Sequence, residues 1–138
     1  MTPRPVPKLL VVSRDPVVVR ELTAAARGFQ VVSQRDLTAP IAPTLGAHPT
    51  IVGVIAEYMS RQSTALELLQ NVRSLRPALR RVVVSDFADL SLVVEGLHTG
   101  LLDGIVYRPI ETQELRVALR IPDAVATTNA KAKTNRVA

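Results

Sequence analysis

The chain has 138 residues, of which 47% are hydrophobic and 21% are charged, so its composition fits one globular domain. It contains no Cys, which excludes disulfide scaffolds, Cys-ligated metal sites and thiol chemistry. No apolar run approaches the ~20 residues that span a bilayer, and the first residues lack a signal-peptide pattern. The sequence therefore predicts a soluble cytoplasmic protein with no membrane partner.

Basic residues exceed acidic residues by 17 to 12, which gives a formal net charge of +5. Fourteen of the 17 cations are Arg, and they are scattered along the sequence without a visible basic face. Aromatic residues, which stack on bases in many nucleic-acid modules, make up only 3%. These features argue against nucleic acid as a partner. A basic accessory domain that contacts nucleic acid through residues 121–138, which carry +2, is kept as an alternative.

Short apolar segments alternate with helical patterns along the chain. Asp15 and Pro16 open the first helix, since Asp is a good N-cap and Pro suits the first helical position. Pro40 and Pro43 limit the second helical segment to a short or displaced element. Alternation of this kind predicts βαβ units and a parallel sheet. The predicted strands are 8–12, 29–32, 50–56, 81–84 and 104–107, and the predicted helices are 15–27, a weak segment within 37–47, 63–75, 89–99 and 111–120.

Composition divides the chain into three parts. Residues 1–7 contain three prolines and predict an extended lead-in. Residues 8–120 form the folded domain. Pro122 ends the last helix, and residues 121–138 are small, polar and aperiodic, which indicates a flexible basic tail or a truncated linker.

Five βα units predict a three-layer, flavodoxin-like sandwich around a five-stranded parallel sheet. In such folds the ligand site lies at the carboxyl ends of the strands. The residues that follow the strands are therefore the candidates for function: Ser13, Arg14, Asp15, Glu57, Ser85, Asp86, Arg108 and Pro109.

Residues 8–120 resemble the receiver domain of bacterial two-component response regulators. Four motifs carry the resemblance, in the family's order: Val-Val-Ser-Arg-Asp-Pro at 11–16, Ala-Leu-Glu-Leu-Leu at 65–69, Val-Val-Val-Ser at 82–85 and Asp-Gly-Ile-Val-Tyr-Arg-Pro-Ile at 103–110. The resemblance implies the strand order 2-1-3-4-5, a cis bond before Pro109 and a role in signal transduction rather than an enzymatic activity.

The sequence departs from this family at the phosphorylation site. Receivers carry two adjacent acids after the first strand that help to hold Mg²⁺, and Ser13 and Arg14 stand there instead. The phosphoacceptor Asp matches Glu57 when counted back from the third-helix motif, or Ile55 or Ala56 when the strand alone is aligned. We therefore predict a pseudo-receiver that has lost Mg²⁺ binding and holds no metal or other cofactor.

Other members of the receiver site are partly kept. Ser85 retains the switch hydroxyl, and Arg108 replaces the Lys of the family's Lys-Pro pair. Glu57 is interpreted either as a built-in phosphomimic or as an ordinary acid at a strand end. Asp15 is interpreted as a helix cap. We hypothesise a metal-free ionic cluster of Arg14, Glu57, Ser85 and Arg108 that holds the domain in one state.

The switch aromatic of receivers matches Ile105, and Tyr107 lies on the same strand face as a displaced substitute. In the fourth helix, Val93, Val94 and Leu97 are assigned to the core. An apolar excess then remains for the face formed by the fourth helix, fifth strand and fifth helix, which receivers use for dimers and partners. The residues predicted to supply it are Leu92, Leu101 and Leu102.

The sequence thus predicts an atypical receiver that acts as a phosphorylation-independent protein-interaction module, through a protein partner or a homodimer. The first alternative is a receiver-like switch that binds an anion or a small signalling ligand through Arg14 and Arg108. The second alternative is the basic accessory domain for nucleic acid described above.

Overall fold

A computed structural model describes residues 6–58, 64–85 and 91–120, and for 91–93 it describes the backbone alone. The predicted tail at 121–138, most of the predicted lead-in, and Asp86 lie outside the described residues. Five strands alternate with five helices, as the sequence predicts. They are β1 (Lys8–Val12), α1 (Pro16–Ala25), β2 (Gln30–Gln34), α2 (Ala42–Ala47), β3 (Ile51–Glu57), α3 (Thr64–Leu75), β4 (Arg80–Ser85), α4 (Ser91–His98), β5 (Gly104–Tyr107) and α5 (Thr112–Ala118).

All strand pairings are parallel, and the strand order is β2-β1-β3-β4-β5. This confirms the predicted flavodoxin-like fold and the order implied by the receiver resemblance. Parallel neighbours need crossover connections, and here each crossover contains one helix. The central strands are buried on both faces because helices cover the sheet on both sides.

The core has two layers, one on each face of the sheet. Alternate residues of the strands point to opposite layers, as the period of two requires. The first layer packs against α2 and α3 and contains Leu10, Val12, Val54, Ala56, Val83, Leu45, Leu69 and Val72. The second packs against α1 and α5 and contains Leu9, Val11, Ile55, Val82, Val106, Leu22, Leu115 and Leu119.

Helix α1 begins as the sequence predicts. Asp15 is its N-cap: the carboxylate accepts a hydrogen bond from the Val17 backbone N–H at 2.9 Å, and Pro16 is the first helical residue. The helix ends at Ala25, two residues earlier than predicted. Gly28 follows with a φ of +87°, a conformation that favours glycine.

Helix α4 is rotated relative to the prediction. Val94 and Leu97, which were assigned to the core, are exposed, while Leu102, which was assigned to the exposed face, is buried. Gly96 explains the difference, since a Cβ built there would lie 3.1 Å from Leu102. The helix turns its glycine inward so that Leu102 can enter the core. Leu101 is half-buried, and the side chain of Leu92 is outside the described part of the chain.

Strand β5 forms one edge of the sheet, and a backbone N–H on its unpaired side has a side-chain partner. The Tyr107 backbone N–H donates to the carboxylate of Glu114 on α5 at 3.1 Å. Glu114 therefore ties the first turn of α5 to the strand that precedes it. Nothing in the sequence pattern indicates this contact.

Arg81 is a buried cation that the sequence did not single out; it is only 7% exposed. Its guanidinium donates to the carbonyls of Leu101 at 2.7 Å, Pro77 at 3.0 Å, Leu79 at 3.1 Å and Gly100 at 3.3 Å. The side chain thereby joins the turn before β4 to the connection between α4 and β5. These carbonyls supply the polar partners that a buried charge requires.

Replacing Arg81 with Met keeps much of the apolar stem but leaves four carbonyls without their donor. We expect Arg81→Met to lower the free energy of unfolding by about 3 kcal/mol. Arg80→Met, one position earlier and partly exposed, should change it by less than about 0.5 kcal/mol. Urea denaturation followed by circular dichroism measures both values, and equal losses would contradict the assigned role of Arg81.

Candidate functional site

The carboxyl ends of the strands meet along one edge of the sheet, where most of the predicted site residues lie. Glu57 is the last residue of β3, Ser85 is the last residue of β4, and Ser13 directly follows β1. The β1–β3 register pairs Val12 with Ala56, which brings Ser13 and Glu57 side by side. Glu57 is half-buried at this edge, whereas Ile55 and Ala56 are fully buried in the core.

Ser13 and Glu57 form the centre of this edge. The Ser13 hydroxyl donates to the Glu57 carboxylate at 2.7 Å and accepts from the Asp15 backbone N–H at 3.0 Å. Ser13 is 1% exposed, whereas Glu57 is half-buried. The hydroxyl thus fixes one carboxylate oxygen of Glu57 and stabilises the turn after β1.

Arg14 points away from Glu57. Its guanidinium lies 3.9 Å from the carboxylate of Asp36, and both side chains are largely exposed. The pKa of Asp36 is lowered, chiefly by hydrogen bonds from the side chain and backbone of Thr38 and to a smaller extent by Arg14. The predicted pairing of Arg14 with Glu57 is therefore wrong. An exposed pair at this distance contributes little to stability.

Arg108 also has another partner than Glu57. Its guanidinium donates to both carboxylate oxygens of Glu21 on α1, at 2.5 and 3.5 Å. The hydrogen bond from Arg108 lowers the pKa of Glu21, and the same contact raises the pKa of Arg108. Glu57 still acts on Arg108 through a weaker electrostatic attraction. The two arginines of the hypothesised cluster are thus paired with other carboxylates, while Glu57 accepts a hydrogen bond from Ser13.

The remaining predicted residues lie around this edge. Ser85 is buried, and its carbonyl accepts the Arg108 backbone N–H at 3.2 Å. The bond between Arg108 and Pro109 is cis, as the resemblance implied. Ile105 is half-buried against the α2–α3 layer, and Tyr107 is exposed. Neither side chain is placed among Ser13, Glu57 and Arg108 by a described hydrogen bond.

A cavity of about 590 Å³ opens beside the Arg108–Glu21 pair. It lies between α1 and the connection from β5 to α5, and it is lined by Glu21, Ala24, Ala25, Arg108, Pro109, Ile110 and Thr112. Sequence analysis missed Glu21 and Asp36 as partners of the two arginines. Nothing in the sequence marks Glu21, because it is 87 residues from Arg108 and meets it only through the packing of α1.

The carboxylates at this edge do not form a metal-ligand set. Within 6–58, 64–85 and 91–120, no group of three or more His, Cys, Asp or Glu residues is arranged to hold a metal ion. The Asp15 carboxylate caps α1, and one oxygen of Glu57 accepts from Ser13. In the same part of the chain, no helix is long and apolar enough to cross a membrane.

Comparisons with solved structures give the class of this fold. The signal receiver domain of an HD domain-containing protein from Pseudomonas fluorescens matches with a TM-score of 0.67 and 24% identity, over 84% of this chain and 93% of that one. A response regulator receiver domain protein from Clostridium thermocellum matches with a TM-score of 0.67 and 15% identity, over 96% and 99%. The chain therefore has the fold of response-regulator receiver domains.

The same fold occurs in neighbours with other descriptions. A pilus assembly-related protein from Burkholderia pseudomallei matches with a TM-score of 0.65 and 18% identity, over 83% of this chain and 87% of that one. No protein-family model and no curated protein matches the chain.

The Arg108–Glu21 pair gives stability a defined pH dependence. Because folding lowers the pKa of Glu21 below its ordinary value of 4.5, the pair stabilises the fold above that pH. This contribution is lost as the pH falls through the folded-state pKa. We expect Glu21→Gln to cost up to about 1 kcal/mol at neutral pH and almost nothing near pH 3.

Urea denaturation at the two pH values measures this difference. Glu95→Gln, at an exposed position in α4, is the matched control and should show no such pH dependence. A cost for Glu21→Gln that stays the same at both pH values would show that the ion pair is not its source.

Proposed function

We propose that this chain is a pseudo-receiver, a non-enzymatic signal-transduction domain that works without phosphorylation. The hydrogen bond between Ser13 and Glu57 is the observation that carries this proposal. In receivers the position of Ser13 belongs to a metal-binding acid and that of Glu57 to the phosphoacceptor. Here a neutral donor and a longer carboxylate bind each other directly.

The donor chemistry at this edge does not fit Mg²⁺. This ion prefers octahedral oxygen ligands with carboxylates among them. Ser13 offers a hydroxyl that is already committed to two contacts, and Arg14 offers a permanent cation. Only Glu57 remains as a carboxylate that faces this point from the described strand ends. We therefore propose that Mg²⁺ binding has been lost.

The state of the domain then depends on fixed side chains instead of a phosphoryl group. Ser13 holds one oxygen of Glu57, and Arg108 is kept by Glu21 at the neighbouring strand end. The carboxylate of Glu57 therefore takes the place of the phosphoryl group that other receivers gain and lose. This supports a built-in phosphomimic rather than an acid freely solvated at a strand end.

Restoring the acids tests this proposal. We expect amide resonances of the unmodified protein at Ser13, Glu57 and Ser85 to stay unchanged on addition of millimolar Mg²⁺ and beryllofluoride. The variant Ser13→Asp/Arg14→Asp/Glu57→Asp should gain saturable shifts at those positions, because it regains the carboxylates that bind Mg²⁺.

The variant Ser13→Asp/Arg14→Asp, which keeps Glu57, is the matched control and should respond to Mg²⁺ but not to beryllofluoride. Saturable Mg²⁺ shifts in the unmodified protein would overturn the proposal. The measurement on the unmodified protein tests the proposal even if the acidic variants fold poorly.

We further propose that the face of α4, β5 and α5 binds a protein partner, with a second copy of this chain as the first to be tested. Val94 is 44% exposed, Leu97 38% and Tyr107 39%, and half-buried Leu101 and Ile105 lie on the same side. The rotation of α4 thus supplies different apolar residues to the face from those the sequence suggested. Exposed apolar side chains grouped together favour a binding surface.

Leu97→Asp places a charge at the centre of this face. We expect it to abolish concentration-dependent dimerisation in sedimentation velocity, while the fold stays intact by circular dichroism. Leu75→Asp, at a 50% exposed position on α3, is the control and should leave association unchanged. Association that survives Leu97→Asp would place the dimer contact elsewhere.

The anion-switch alternative has less support. Both cations that it requires are already paired, Arg14 with Asp36 and Arg108 with Glu21. An incoming anion would have to compete with a carboxylate at either arginine. The cavity beside Arg108 gives such a ligand room, but Glu21 also lines that cavity and would repel it.

A further inference from the structure

The fold gathers the scattered arginines at one end of the domain. In a βα sandwich the amino ends of the strands and the carboxyl ends of the helices lie together, opposite the candidate site. Sequence analysis found no basic face because these residues are far apart along the chain. We call this region the basic end; its partly or fully exposed cations are Lys8, Arg27, Arg73, Arg76, Arg80, Arg116 and Arg120.

Acidic residues are nearly absent from the basic end. Asp103 is the one carboxylate placed there by the described connections, and it accepts the Arg81 backbone N–H at 2.8 Å. Glu95 lies within α4, and the other seven described acids lie near the carboxyl ends of the strands: Asp15, Glu21, Asp36, Glu57, Glu67, Glu111 and Glu114. The domain is therefore strongly polarised from end to end.

Several cations of the basic end surround the carboxyl end of α5. The Arg116 guanidinium donates to the Arg27 carbonyl at 2.8 Å and lies 5.9 Å from the ring centre of Phe29. Arg120 follows α5 directly, and Arg27 and Arg120 are exposed. No salt bridge engages these three arginines within the described residues. Their charge is therefore available to an external anion.

The helix dipoles do not account for this charge. Each helix carboxyl end carries roughly half a negative charge, so five helices offset roughly two to three positive charges. The seven partly or fully exposed cations of the basic end are more than twice that number. Residues 121–138, which follow Arg120 in the sequence, add Lys131, Lys133 and Arg136 against Asp123.

We propose that the basic end binds the phosphate backbone of duplex nucleic acid without sequence specificity. Guanidinium groups suit this partner because they pair with phosphate oxygens through two parallel hydrogen bonds. A closely spaced row of phosphates releases counterions when several arginines bind it at once. This surface is separate from the Ser13–Glu57 edge, so the inference does not depend on the proposed pseudo-receiver function.

The aromatic residues favour a duplex over a single strand or a bilayer. Single strands are bound by stacking on exposed aromatic rings, and bilayer surfaces are anchored by Trp and Tyr. The chain has no Trp. Tyr58 and Tyr107 lie at the opposite end of the strands, and Phe29 is half-buried beneath Arg116. Among the described residues, the basic end thus offers charge without a fully exposed aromatic ring.

Fluorescence anisotropy of the full 138-residue chain with a labelled 20-base-pair duplex of mixed sequence tests the proposal. We expect salt-dependent binding that is the same for an unrelated sequence of equal length. Arg27→Gln/Arg120→Gln should weaken it roughly tenfold and flatten the slope of log K against log salt by about two. Arg14→Gln/Arg35→Gln removes the same charge from the opposite end and should change neither quantity.

Three results would overturn the proposal. Equal losses in the two double variants would show that net charge alone is responsible. Absence of binding at low salt would exclude a duplex partner. Binding to phosphatidylglycerol vesicles that needs Arg27 and Arg120, without duplex binding, would assign the basic end to a membrane surface instead. Circular dichroism checks that both variants fold, as expected for substitutions at exposed positions.

Discussion

The parallel alignment of five strands is the constraint on which the other features of this molecule depend. Parallel pairing forces each strand to be followed by a helix that returns to the starting end. The two ends of the sheet are then built from different connections, so each end can carry a different set of polar and charged side chains. The carboxyl ends hold Ser13, Glu57 and Ser85, while the amino ends hold most of the partly or fully exposed cations of the described residues. Neither surface would exist in an antiparallel meander of the same residues.

At the carboxyl ends, local pairing decides what the site can do. Arg14 and Arg108 each have a carboxylate partner, and one oxygen of Glu57 accepts from the Ser13 hydroxyl. Charges neutralised within the domain cannot attract a divalent ion or a phosphoryl donor strongly. The receiver fold is therefore compatible with the loss of receiver chemistry that we propose, because the sheet does not require the acids that the chemistry requires.

Features that depend on local sequence were predictable. The cap by Asp15, the shortness of α2 after its prolines and the buried central strands follow from residue type and periodicity. The orientation of α4 was not predictable from its pattern, since Ser-Leu-Val-Val-Glu-Gly-Leu-His is apolar on more than one side. Its rotation depends on the contact between Gly96 and Leu102, which only the packed structure contains.

Long-range polar contacts were equally hidden. The Arg81 guanidinium binds carbonyls of two separate connections, and carbonyls carry no signal in a sequence because every residue has one. The partners of Arg14 and Arg108 lie 22 and 87 residues away along the chain. The basic end could not be predicted from the sequence for the same reason, because its residues are far apart along the chain and only the topology brings them to one end of the domain.

The contact between Glu114 and the Tyr107 backbone has a consequence for solubility. An edge strand with open N–H groups can template strand addition from another chain, which is a common route to aggregation. Here an acidic side chain occupies one of those donors and brings a negative charge to the same place. A foreign strand would have to displace that carboxylate before it could pair with β5. The last helix thus protects the sheet from fibrous growth while it packs against it.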